Sequence, residues 1–283
     1  ALRMVLSTGL QSFAIHILFT AAPCTTKSYI IWRSLENEWL HWGKLVTPYN
    51  NGSQLDQLQR FCDDLANAVA DARDSGERVA IVGGDHSCAI GTWRGVAREA
   101  GAVGLIWLDA HMDAHTRYSS PSGCWHGMPV ANLLGCEGAQ MNGDSRVISP
   151  QNLTLIGVRS YESEEKELLH SLGVKVFTDN DVHRVGFASA MDEALCRAKA
   201  GTAGYGISID LDGFSLADAP GVGSPVVGGL KAAELLEILF LLKDDPALLA
   251  LEIAEFNPVV DVEKRTQKLL MNILEKLTGV IRE

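Results

Sequence analysis

Short runs of consecutive apolar residues, rich in Val, Ile and Leu, recur along the chain. Between them lie longer stretches in which apolar positions repeat every three or four residues. The runs are AIHILF (14–19), RVAIVG (78–83), VGLIWLD (103–109), NLTLIGV (152–158), VKVFT (174–178), YGISID (205–210) and ALLALEIAE (247–255). Predominantly apolar runs of this length predict strands buried on both faces. The stretches 53–75, 163–173, 188–200, 231–243 and 259–281 predict amphipathic helices; Leu65, Ala68, Val69 and Ala72 show the spacing. Strands alternating with helices imply a mostly parallel sheet covered on both faces, in one α/β domain over residues 1–283. No repeat, low-complexity linker or shift of composition divides the chain.

Polar residues break this pattern at particular places. His86 follows the second run in GGDHS, and Asp109, His111, Asp113 and His115 end the third at every second position. Asp210 and Asp212 end the run at 205–210, and Glu255 ends the last. Ligands of open parallel sheets bind beyond the carboxyl ends of the strands, so four strand ends deliver these side chains to one rim. Alternate residues of a strand share a face, which makes DxHxD and DxD compact sources of convergent groups.

Burying several carboxylates is costly unless a cation compensates. Four carboxylates and two imidazoles, with no thiolate, suit a hard or borderline divalent ion such as Mn2+. Around one ion they would be crowded and over-charged. Two ions about 3.5 Å apart, bridged by carboxylates, nearly balance the charge and form a known device for activating water. Taken singly, each feature has a plainer reading. A DxD can start a loop or cap a helix, His86 can sit in a turn capped by Asp85 or Ser87, and His115 can be solvated. The joint placement of six candidates at three strand ends favours the metal.

Composition narrows the partners. The net charge of -11 over 283 residues, with a pI near 5.2, argues against nucleic acid. Six cysteines at 24, 62, 88, 124, 136 and 196 form no CxxC pair, as expected of reduced thiols in a cytoplasmic protein. Between Met4 and Cys24 only His16 can carry charge, which raises the question of a membrane or signal segment. Ser7, Thr8, Gln11 and Ser12 dilute that run, and it reads better as a first buried strand and loop of a soluble protein.

Five motifs now stand in order: GGDHS (83–87), DAHMD (109–113), SGCWHGMP (122–129), SIDLDG (208–213) with PGVGSPVVGG (220–229), and EIAEFNP (252–258). Together they resemble the ureohydrolase family of arginase and agmatinase. The resemblance implies a three-layer α/β/α sandwich, two Mn2+ per chain, a homotrimer or homohexamer, and a small guanidino substrate. One Mn2+ would be held by His86, Asp109, Asp113 and Asp210. The other would take His111, Asp109, Asp210 and Asp212, with Asp109 and Asp210 bridging. A bridging hydroxide, hydrogen-bonded to Asp113, would attack the guanidinium carbon. His126 would protonate the leaving amine, and Glu255 would orient the guanidinium through charge-assisted hydrogen bonds. Without its motif, His126 reads as a loop histidine packed on Trp125.

The loop around Ser122 resembles arginases more than agmatinases, which implies hydrolysis of L-arginine to L-ornithine and urea. By the same resemblance, Glu162 and Glu165 of IGVRSYESEEKELL would meet the substrate α-amino group; the alternative is an acidic helix N-terminus favoured by the helix dipole. His115 and Cys124 stand where arginases commonly hold Asn near the α-carboxylate. Ser215 and Leu216 replace a usual Asp-Pro, and AAPCTTKSYIIWRSLENEW stands in place of a Gly-rich segment. Agmatinase, guanidinobutyrase or formimidoylglutamase-type activity is therefore the alternative. Outside that class stand a catalytically silent binding homologue, against which the full ligand set, His126 and Glu255 count, and a metal hydrolase of acylated amines, against which Glu255 and the arginase-type loop count.

Overall fold

The computed structural model describes residues 53–74, 78–141 and 146–278, together with the backbone of four strands within residues 2–46. Among the described residues the strands are β1 (Leu2–Thr8), β2 (Gln11–Ile17), β3 (Ser28–Ser34), β4 (Leu40–Val46), β5 (Arg78–Val82), β6 (Val103–Leu108), β7 (Ile148–Val158), β8 (Lys175–Thr178), β9 (Gly204–Asp210) and β10 (Leu248–Ala254). The helices are α1 (Gln54–Asp74), α2 (Cys88–Ala100), α3 (Pro129–Leu133), α4 (Ser163–Leu172), α5 (Asp179–Val185), α6 (Phe187–Lys199), α7 (Ala232–Leu242) and α8 (Arg265–Thr278).

The main sheet runs β4-β3-β5-β10-β9-β6-β7-β8. From β5 to β8 all neighbours are parallel, while β3 and β4 add an antiparallel edge. One face of the sheet carries Ile81, Leu105, Trp107 and Leu155 against α1, α2 and α3. The other carries Val82, Leu108, Ile207 and Ile253 against α5 to α8. This is the three-layer α/β/α sandwich that the alternation implies. Six of its strands fall on six of the predicted runs.

Three differences bear on the fold, and two of them have local causes. The run at 14–19 places residues 14–17 on β2, which pairs with β1 in a separate two-stranded sheet; residues 18 and 19 lie outside the described residues. The helix expected over 259–281 begins only at Arg265. Its start is set by Asp261, whose carboxylate accepts the N–H groups of Thr266 and Gln267 at 2.9 and 3.0 Å. The third difference is α2, which the pattern does not predict. Gly91 and Gly95 lower its helix propensity, yet they are what seats it. A Cβ on either would stand 2.7 or 2.6 Å from the carbonyl oxygens of Cys62 and Ala66 in α1. Among the described residues, no helix is long and apolar enough to cross a membrane.

Candidate metal centre

Strand order makes the site. β5, β10, β9 and β6 are consecutive neighbours, so the segments that leave their carboxyl ends meet at one rim. The exits are tied together: Gly83 donates its N–H to Ile253 O, and Glu255 donates to Gly84 O, each at 2.7 Å. His86 Nδ1 then lies 3.2 Å from Asp109 Oδ2, 3.3 Å from Asp113 Oδ2 and 3.1 Å from Asp210 Oδ2. His111 Nδ1 lies 3.4 Å from Asp109 Oδ1 and 3.2 Å from Asp212 Oδ2. Two ligand groups result, His86–Asp109–Asp210 and Asp109–His111–Asp212, with Asp109 common to both. Asp210 Oδ1 accepts the Asp212 N–H at 2.7 Å. The structure thus brings all six predicted side chains together.

Their electrostatics call for positive charge. Burial, and then the Asp109 carboxylate, push the Asp113 pKa up to about 7. Burial and neighbouring aspartates raise Asp210 and Asp212 as well. Asp109 goes the other way: burial opposes its charge, but His111 and His86 outweigh it and hold the pKa low. Burial likewise opposes charge on His86 and His111, and the carboxylates reverse it, taking His111 to about 12. Such a cluster retains protons in the places where cations would otherwise sit. His86 Nδ1 is the sharpest case. It is buried and faces three carboxylate oxygens, yet it makes no aligned hydrogen bond among the described residues. An imidazole nitrogen in that position, within an all-oxygen and nitrogen donor set, fits a divalent cation.

Backbone strain accompanies the chemistry. Asp113 and Glu255 have φ of 50° and 64°, a left-handed conformation that costs a non-glycine residue on the order of 1–3 kcal/mol. Asp113 is held there by its carbonyl, which accepts Val130 N–H at 2.9 Å.

His126 lies on the short 3-10 turn Trp125–Gly127, half-exposed, with Nδ1 3.8 Å from Glu255 Oε1. Glu255 raises its pKa against the effect of burial to about 9. His115 is buried and pairs through Nε2 with Glu162 Oε2 at 2.9 Å, with Glu165 Oε2 at 3.4 Å. Both Glu165 oxygens also accept backbone N–H groups, from Ala114 at 3.0 Å and Glu162 at 3.1 Å, which anchors the start of α4. Ser122 accepts the Cys124 N–H at 3.2 Å in the exposed loop before the turn.

Four residues near the centre carry no weight in the sequence reading. Trp107 stacks on His86 with centroids 4.0 Å apart and donates Nε1–H to Asp109 Oδ2 at 2.8 Å. Ser208 meets His86 Nε2 at 2.9 Å and donates to Glu252. Trp107 and Ser208 each stand two residues before a candidate ligand, and that spacing is the signal that would have found them. Arg159 clasps the carbonyls of Asp212, Gly213, Phe214 and Val226.

A parallel α/β/α sheet with paired His/Asp clusters at its carboxyl rim is the arrangement that the resemblance to the ureohydrolase class implies. The sequence profile described as Arginase family matches residues 31–279, and the chain belongs to that family. It is 38% identical over 236 residues to the arginase of Brevibacillus brevis, covering 82% of this chain and 79% of that one. It is 39% identical over 220 residues to the arginase of Bacillus caldovelox, covering 77% and 74%. The solved structure of the Bacillus caldovelox enzyme superposes with a TM-score of 0.76 at 36% identity, over 85% of this chain and 83% of that one.

Proposed function

We propose that the chain is a manganese-dependent amidinohydrolase that converts L-arginine and water to L-ornithine and urea. The observation that carries this reading is the pair of His/Asp groups sharing Asp109; the arginases among its relatives support the substrate. His86, Asp109, Asp113 and Asp210 would hold one ion, and His111, Asp109, Asp210 and Asp212 the other. The ions supply charge neutralisation and activation of water.

The remaining roles belong to the chain's own side chains. Glu255, at the rim, offers its carboxylate to the planar guanidinium and fixes the angle of the C–N bond to be broken. Asp113, whose Oδ2 faces His86 Nδ1 at 3.3 Å, would accept a proton from the attacking water. His126 remains protonated to about pH 9 beside Glu255 and delivers its proton to the departing amine nitrogen. Ser122, Cys124 and His115 would line the approach of the substrate's far end, with Glu162 and Glu165 beyond. We further propose a single catalytic domain, assembled as a homotrimer or homohexamer in the cytoplasm.

One observation favours a second reading. Glu162 already has a partner in His115, so a guanidino acid lacking the α-amino group is the rival substrate. Urea release from L-arginine, agmatine, guanidinobutyrate and other guanidino acids after Mn2+ loading separates the two. The first reading expects kcat/KM to be highest for L-arginine. Turnover of none of these compounds contradicts the hydrolase reading itself.

A further inference from the structure

Glu252 takes no part in the chemistry above. It is fully buried in the middle of β10, where a carboxyl group without partners would be costly. Three side-chain donors converge on it: Thr92 Oγ1 at 2.7 Å and Cys88 Sγ at 3.2 Å on Oε1, and Ser208 Oγ at 2.8 Å on Oε2. A carboxyl group so surrounded acts as an acceptor on both oxygens.

That fixes the direction of the next link. Ser208 has one hydroxyl proton and gives it to Glu252, so its oxygen accepts from His86 Nε2 at 2.9 Å. The ring is left with Nδ1 as the atom turned toward Asp109, Asp113 and Asp210. Sheet register makes the arrangement rigid. Glu252 is the register partner of Ser208, and Ser208 of Trp107, so the three side chains form one row across β10, β9 and β6. Trp107 then stacks on the imidazole with an interplanar angle of 16°.

We propose that Glu252 is a positioning residue: through Ser208 it holds His86 with Nε2 as the donor and Nδ1 as the atom offered to the cation, and so sets the affinity of that half of the centre. The inference rests on the metal reading of the site. Partners behind a metal-bound histidine fix its tautomer and orientation in this way. Glu252→Gln keeps the shape but lets an amide N–H face Ser208, which frees the hydroxyl to point back at the ring.

Mn2+ titration against a competing chelator tests this, with Glu252→Gln and Ser208→Ala beside the wild type and each metal-free chain melted in parallel. Wild type takes up two ions. In both variants one ion binds about 10- to 100-fold more weakly, the other keeps its affinity, and the metal-free melting temperature stays near that of the wild type. If Glu252→Gln does not fold, Ser208→Ala, which removes a single hydroxyl, carries the test. Wild-type affinity for both ions in the variants overturns the proposal. So does lowered metal-free stability with unchanged affinity, the mark of a merely structural role. A wild type that binds no Mn2+ overturns the metal reading instead.

Discussion

The backbone N–H of His86 donates to Glu255 Oε1 at 2.8 Å, and the same oxygen stands 3.8 Å from His126 Nδ1. One carboxylate thus links the turn that carries His86, proposed above as a metal ligand, to His126, proposed above as the proton donor. Its own backbone, at φ 64°, is strained to reach both.

The pH profile should record this link. Glu255 raises the His126 pKa from 6.5 to about 9, so the proposed proton donor keeps its proton through neutrality and loses it as pH rises through about 9. The stability contributed by the pair follows the same sign, complete below 6.5 and gone above about 9. Glu255→Gln should move the alkaline limb of kcat/KM toward lower pH. An unmoved limb would separate His126 from that proton.

Asp109 and His126 should fail in different ways. Asp109 belongs to both ligand groups, so Asp109→Ala should lose both ions by metal analysis. His126→Ala should keep the ions and lose about 10²- to 10⁴-fold in turnover, the range for a general acid.

Metal removal should reverse the dependence of stability on pH. Without cations, Asp113 is raised from 3.8 to about 7 and His111 from 6.5 to about 12, so at these two sites the folded chain binds more protons than the unfolded one. The stability that Asp113 contributes is then complete below 3.8 and is lost as pH rises through about 7. A chelated sample should melt lower at about pH 8 than at about pH 5, and added Mn2+ should raise the pH 8 value most, because deprotonated ligands bind best.

Gly95→Ala would place a methyl group 2.6 Å from the Ala66 carbonyl oxygen. Despite its better helix propensity it should destabilise the fold by about 1–3 kcal/mol in denaturant titration.

That glycine also shows where reading from sequence stops. The strands that carry the site were legible because β6 is apolar along its whole length and β9 and β10 nearly so, and the candidate ligands because acids and histidines cluster at or just past the strand ends. Helix α2 was hidden because Gly91 and Gly95 serve α1, a contact distant in sequence. Ser208 and Glu252 were hidden because their meeting depends on the register of β9 against β10. The role expected of Glu165 looks different once both its oxygens are seen on backbone N–H groups, a use that local sequence does not distinguish from substrate binding.

The most direct test is urea release from L-arginine as Mn2+ is added stepwise to chelator-treated protein. The account predicts no turnover without metal, and activity that rises to a plateau at two ions per chain, one for each ligand group around Asp109. Full turnover in the metal-free protein, or none with any guanidino compound at saturating Mn2+, would contradict it.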